Sequence, residues 1–310
     1  MTDPRKLLLG IVALVTACGE VDRPTGNEAA ATQAANVLVV TSNYPLYFFA
    51  SRIAEGVSAA PEIVYPDIEG DPAFWSPSTE QIQLLQSADA VILNGAGAES
   101  WLGLITLDRR RLVDTSLTIV DQFISLEESV QHQHGPEGEH SHQGTAFTLW
   151  LDPQLAIAQA QSVTNTLIEL APMVAPQLRE NMAKLQQEFM LLDTQLADVF
   201  TLLEGKPVLF SHPVYQYLQQ RYGINGQSVH WEPEIEPSTS AWIELQQILT
   251  RQPTALMIWE DEPLSSTTER LSRMGLKVVT FHPLANRPAE GDYLSVMRAN
   301  AERVASSLAQ

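Results

Sequence analysis

The segment from Ala175 to Glu204 reads APQLRENMAKLQQEFMLLDTQLADVFTLLE. Within it Leu178, Met182, Leu185, Phe189, Leu192, Leu196, Val199 and Leu203 recur at steps of three and four, the spacing that lines one face of an α-helix. Gly205 follows, and glycine is the residue that most readily ends a helix. At 1.5 Å per residue the helix is roughly 45 Å long, about a whole domain's width. Charges at flanking positions are too sparse for a coiled coil. A rigid linking helix over residues 175–204, joining two lobes, fits best.

Outward from that helix both flanks alternate short apolar runs with helical patterns. On the N-terminal side the runs are Val37–Thr41, Glu62–Tyr65, Ala90–Leu93 and Leu117–Val120, suited to buried parallel strands. Ser78 with Gln81 three residues on marks the start of a helix at Ser78–Ser87. Asp152-Pro153 opens another, Asp as cap and Pro at the first helical position. On the C-terminal side strands are expected at Pro207–Ser211, Ala255–Trp259 and Lys277–Phe281. Helices are expected at Pro213–Tyr222, Ala241–Thr250, Leu264–Met274 and Tyr293–Leu308. The fold class is α/β: two similar lobes, residues 37–174 and 205–310, each a mainly parallel sheet flanked by helices.

The remaining N-terminal sequence reads as export machinery. Arg5 and Lys6 precede the apolar stretch Leu7–Val15, too short to span a bilayer, so residues 1–17 read as a signal peptide. Val15-Thr16-Ala17-Cys18 has the form of a lipobox, which makes Cys18, the single cysteine, a lipidation site. Residues 18–36 are small and polar, a flexible tether. The expected location is the cell envelope, outside the cytoplasm, anchored to a membrane by lipid. Against 18 Lys+Arg stand 37 Asp+Glu, a formal charge of −19, which excludes nucleic acid as the main partner and suits a protein that attracts cations.

In an open α/β sheet ligands bind just past the carboxyl ends of strands. The second lobe puts a metal-capable side chain there three times: His212 after Val208–Ser211, Glu260 after Ala255–Trp259, and His282 after Val278–Phe281. Imidazole nitrogen and carboxylate oxygen suit zinc, and also manganese, iron or nickel. Four of the seven histidines, His132, His134, His140 and His142, crowd into a Gly/Pro/Glu tract within residues 131–143. That tract reads as a mobile, solvated loop that holds metal loosely. His230, beside Trp231, reads as structural. No phosphate loop, GxSxG elbow or recognisable catalytic carboxylate pair is present.

Together these segments resemble the cluster A-I solute-binding proteins of zinc and manganese ABC importers, which include periplasmic zinc-uptake proteins and streptococcal adhesin-like lipoproteins. The similarity runs from about Val37 to Ala309. It is carried by Val39–Leu46, Asp71-Pro72, Pro77, Ala88–Gly95, Trp101-Leu102, Trp150–Pro153, Glu236–Ser238, Asp292–Leu294 and Met297-Arg298. The resemblance implies a non-enzymic, monomeric metal-binding protein that works with an ABC permease and its ATPase. It also implies four ligand positions. Two are imidazoles in the first lobe, where this chain has Ala73 and Thr148. The others fall on His212, as in zinc-type members, and on His282. Asp71, Ala73, Trp75, Thr148 and Trp150 would line the cleft between lobes. With half the ligand set replaced, Glu260, Asp71, water or a loop histidine must complete a four-ligand zinc site.

Zinc capture for import, with manganese or another divalent transition ion as the alternative cargo, is the leading expectation. The same fold holding a chelated metal or an organic solute against Phe74, Trp75 and Trp150 is the second. An adhesin-like lipoprotein with a decayed site, and a zinc hydrolase built on His212, His282 and Glu260, are further alternatives.

Overall fold

The computed structural model describes residues 37–133, except Asp67 and Glu69, and residues 139–309; for residues 127–133 and 139–143 it describes the backbone. The signal peptide, Cys18, the tether and His134 lie outside the described residues.

The first sheet contains β1 (Leu38–Thr41), β2 (Glu62–Val64), β3 (Ala90–Leu93) and β4 (Leu112–Asp114). All pairs are parallel, in the order β2-β1-β3-β4. Helices α1 (Tyr44–Ala54), α2 (Thr79–Ser87) and α3 (Pro153–Leu170) accompany it. Their starts follow the side chains that satisfy free amides. Asn43 accepts from Leu46 N, Ser78 and Gln81 form a reciprocal capping box, and Asp152 accepts from Gln154 N. The strand expected at Leu117–Val120 is not there. Strand β4 lies earlier, and Thr115 ends it by donating its hydroxyl to Leu93 O and Asn94 O. Leu117 and Val120 are exposed.

Next comes α4, Ala175–Thr201, followed by the second sheet: β7 (Val208–Phe210), β8 (Gly226–Ser228), β9 (Leu256–Trp259) and β10 (Lys277–Thr280). It too is all parallel, in the order β10-β9-β7-β8. Strand β8 was not expected, being three residues without a β-branched side chain. Helices α5 (Gln216–Tyr222), α6 (Thr239–Arg251), α7 (Ser265–Arg273) and α8 (Tyr293–Leu308) complete the fold.

Helix α4 buries Leu178, Met182, Leu185, Phe189, Leu192 and Leu196, as its stripe requires. At its end Phe200 goes inside and Val199 stays half-buried. The helix stops at Thr201, and Glu204 and Gly205 leave in left-handed conformations at φ 51° and 73°. Phe189 meets Phe49 of α1 and Tyr293 of α8 edge-on, at 5.4 and 5.6 Å between ring centroids. One continuous apolar core therefore runs through α4 from sheet to sheet. Polar ties reinforce it: Asp193 of α4 accepts from Gln154 of α3 at 2.8 Å and from Arg221 Nε of α5 at 3.0 Å.

The His-rich tract differs from the loop expected. Its backbone forms an antiparallel ribbon, β5 (Ser125–Gln133) and β6 (Glu139–Thr145), with His132 opposite His140 and Val130 opposite His142. Among the described residues no helix is long and apolar enough to cross a membrane.

Candidate metal centre

The second sheet's parallel strands all end on one side, and hydrogen bonds carry their pairing a step past each end. Ser211 N donates to Ile258 O, Phe281 N to Trp259 O, Val229 N to Phe210 O and Trp231 N to Ser211 O. These bonds bring the residues that follow β7, β8 and β9 to one place.

His212, Glu232 and Glu260 converge there, with donor atoms all within 4.8 Å of one another. His212 is 8% exposed. Its Nδ1 lies 3.3 Å from Glu260 Oε1 and 3.4 Å from Glu232 Oε1. Donors about 2.1 Å from a tetrahedral zinc sit ~3.4 Å from each other. The spacing thus matches an edge of such a tetrahedron. Burial works against a charged His212, but the hydrogen bond and charge of Glu260, then the charges of Glu232 and Asp71, outweigh it and raise its pKa above the ordinary value. The group attracts positive charge, whether a proton or a metal ion.

His282 is not part of this group. Its backbone is held on both sides by Asn300, which accepts from His282 N at 3.0 Å and donates to His282 O at 2.9 Å. Its Nδ1 faces Asp261 Oδ1 at 3.9 Å. Glu232, not expected from the sequence, lies in the group beside His212 and Glu260. A signal for it was present: Val229-His230-Trp231-Glu232 alternates apolar and ligand-type residues with the two-residue period of extended backbone.

The first lobe presents a different surface to the cleft. Asp71 caps the short turn at Pro72–Phe74 by accepting from Ala73 N at 2.8 Å. Ala73 offers no donor atom. Thr148 donates its hydroxyl to Val214 O at 2.6 Å, a bond that crosses between lobes. Trp150 Nε1 also crosses, to Pro283 O at 2.6 Å. Asp71, Ala73, Glu99, Trp150 and Ala285 help to line a cavity of about 10 Å³, room for a single water-sized occupant. Thr148 is turned away from it, and Trp75 packs edge-on against Trp101 at 5.1 Å instead.

Beside that cavity Glu99 accepts from Ser42 Oγ (2.7 Å), Asn94 N (2.6 Å) and Gly95 N (3.2 Å). Burial outweighs these bonds and pushes its pKa up to about 7. Gly95, at φ 77°, lets Asp114 pack against its backbone: a Cβ there would fall 1.9 Å from Asp114 Oδ1. A larger groove of about 530 Å³ runs past Phe74, Leu117, Val120 and Phe123, and among the described side chains no histidine lines it.

Comparison with known proteins agrees with this architecture. The zinc-binding protein AdcA of Streptococcus pyogenes serotype M3 is 25% identical over 299 residues, covering 87% of this chain and 57% of the relative. The chain thus spans little more than half the length of that relative. The high-affinity zinc uptake system protein ZnuA of Bacillus subtilis is 25% identical over 315 residues, covering 95% of this chain and 94% of the relative. The solved Zn(II)-bound ZnuA-like domain of Streptococcus pneumoniae AdcA superposes with a TM-score of 0.73 at 21% identity. It covers 89% of this chain and all of that one, and shares its fold. The model of the family described as "ZnuA: Zinc-uptake complex component A periplasmic" matches residues 39–307. The chain belongs to this family.

Proposed function

We propose that the protein captures zinc outside the cytoplasm and delivers it to the permease of an ABC importer powered by an ATPase. The observation that carries this reading is the convergence of His212, Glu232 and Glu260 at the strand ends of the second sheet. An imidazole beside two carboxylates suits a borderline ion such as zinc. Magnesium and calcium prefer six or more oxygens. Manganese remains the alternative cargo. The protein binds and releases its ion without a covalent step, and it acts as a monomer tethered to the membrane through Cys18. The His-rich ribbon collects ions for the site.

Family membership supports the importer role. Calorimetric titration of Zn²⁺ into the full chain tests the proposal. One strong site, lost or greatly weakened in His212→Ala, is expected. Absence of binding, or equal affinity in the variant, would overturn it.

A further inference from the structure

The group at His212 supplies three donors, one fewer than a closed zinc site uses. The two first-lobe positions add none: Ala73 has no donor, and Thr148 gives its hydroxyl proton to Val214 O. His282 stands outside, facing Asp261. One other imidazole lies next to the group. The rings of His212 and His230 are 6.2 Å apart between centroids and inclined at 77°.

We infer that His230 is the fourth protein ligand, so that zinc is held by the second lobe alone, through His212, His230, Glu232 and Glu260. This inference rests on the zinc-capture reading above. The backbone fixes His230 at the right level. The bonds Val229 N to Phe210 O (2.9 Å) and Trp231 N to Ser211 O (2.8 Å) bracket it and extend the β7–β8 pairing up to His212. Val229 and Trp231 are buried, at 5% and 4% exposure. In extended backbone, alternate residues share a face, which puts His230 on the side of Glu232, already a member of the group. Two imidazoles on one tetrahedral zinc place their ring centroids ~5 Å apart. The 6.2 Å observed needs about 1 Å of side-chain movement. His230 is exposed, so it can turn without disturbing the core.

The set has a chemical logic. Two neutral imidazoles and two carboxylates bring a divalent ion to net zero charge, which lowers the cost of holding it in a half-buried site. Two nitrogens among four ligands favour zinc over hard cations. The first lobe then covers the ion but does not ligate it.

The test uses the full chain with His132, His134, His140 and His142 all changed to Gln, which leaves His212, His230 and His282 as the only imidazoles. X-ray absorption at the zinc edge counts imidazoles on the bound ion, and competition titration with Zn²⁺ alone gives the affinity. Two imidazoles are expected in this background and in His282→Ala, but one in His230→Ala. Zinc affinity in His230→Ala should fall by at least roughly tenfold, the low end of the loss seen even for groups that only support a metal ligand. An unchanged count and affinity in His230→Ala, while His212→Ala weakens binding, would overturn the inference and leave the zinc-capture reading intact. A count that drops in His282→Ala instead would assign the ligand to His282. Full binding in His212→Ala would remove the zinc-capture reading itself. Equal thermal unfolding of the metal-free variants verifies that the exposed substitution leaves the fold unchanged.

Discussion

Thr148 and Val214 are joined across the cleft by a 2.6 Å hydrogen bond from the threonine hydroxyl to the valine carbonyl. The hydroxyl stands at a position where the family resemblance implies an imidazole, and Val214 is two residues beyond His212. A position that would contribute a ligand from the first lobe contributes a lobe-to-lobe fastening instead.

Replacing Thr148 by Val keeps the shape and removes the donor. Stability should fall by about 1–3 kcal/mol, the cost of leaving the Val214 carbonyl unpaired in a part-buried site. Zinc affinity should change by less than about twofold, since 1.4 kcal/mol corresponds to a factor of ten and no ligand is lost. Denaturant unfolding of the metal-free protein and zinc titration check the two halves. A large loss of affinity would place Thr148 in the metal site.

For His212 the direction of pH dependence follows from its neighbours. Glu260→Gln removes the largest influence favouring the charged imidazole, so the pKa of His212, followed by proton NMR of its ring, should drop. Because the native pKa lies above the unfolded value of about 6.5, the stabilisation is complete below that pH and fades as pH rises through the native pKa. Melting temperatures of metal-free wild type and Glu260→Gln should therefore differ most near pH 6 and converge in alkali. Zinc binding runs the other way and should weaken as pH falls and protons compete for the imidazole.

Glu99 predicts a second pH effect, independent of metal. Its pKa of about 7 exceeds the unfolded value of about 4.3, so the folded state keeps a proton that the unfolded chain has lost. Its contribution is full below the unfolded pKa and is lost as pH rises toward 7, levelling off above. Glu99→Gln should remove this slope, measured as unfolding free energy at steps from pH 4.5 to 8. An identical slope in the variant would assign the effect to another group.

Phe189 stands where α1, α4 and α8 meet. Phe189→Ala should cost about 3–5 kcal/mol, the usual loss for a fully buried aromatic. Since one core passes through α4, fluorescence and circular dichroism should report one shared, lowered transition. Separate transitions for the two sheets would contradict a common core.

The stripe from Leu178 to Leu196 was legible because nineteen consecutive residues obey one period, and burial follows it. Strands β1, β3 and β9 were legible for a similar reason: each is a run of apolar residues, buried on both faces. What failed was short or local. Leu117–Val120 has strand composition, yet the chain leaves the sheet at Thr115 through side-chain hydrogen bonds that composition does not encode. Strand β8, Gly226-Gln227-Ser228, has no strand-like side chains and is held by its partner β7. Missing it hid Glu232, whose place in the site depends on β8 pairing. His212 and Glu260 were readable as residues at strand ends. The turn of His282 toward Asp261 depends on Asn300 in α8, eighteen residues away, a tertiary constraint invisible at the position itself.

The loop after His282 lies across the first lobe. Pro283 O receives Trp150 Nε1 at 2.6 Å, Ala285 O receives Tyr44 N at 3.2 Å, and Asn286 Oδ1 receives the Tyr65 hydroxyl at 2.7 Å. The Arg287 guanidinium rests over the Tyr47 ring at 4.6 Å. Swinging the lobes apart would break all four contacts together, at about 4 kcal/mol by ordinary values for each. These four contacts alone hold the open population to at most roughly one molecule in a thousand, and the Thr148–Val214 bond lowers it further. Exchange of the proposed zinc with solvent would then follow side-chain rotation around a standing cleft rather than lobe opening. The proposed permease would meet a body already in its docking shape, with this loop and the Thr148–Val214 bond to loosen rather than a hinge to wait for.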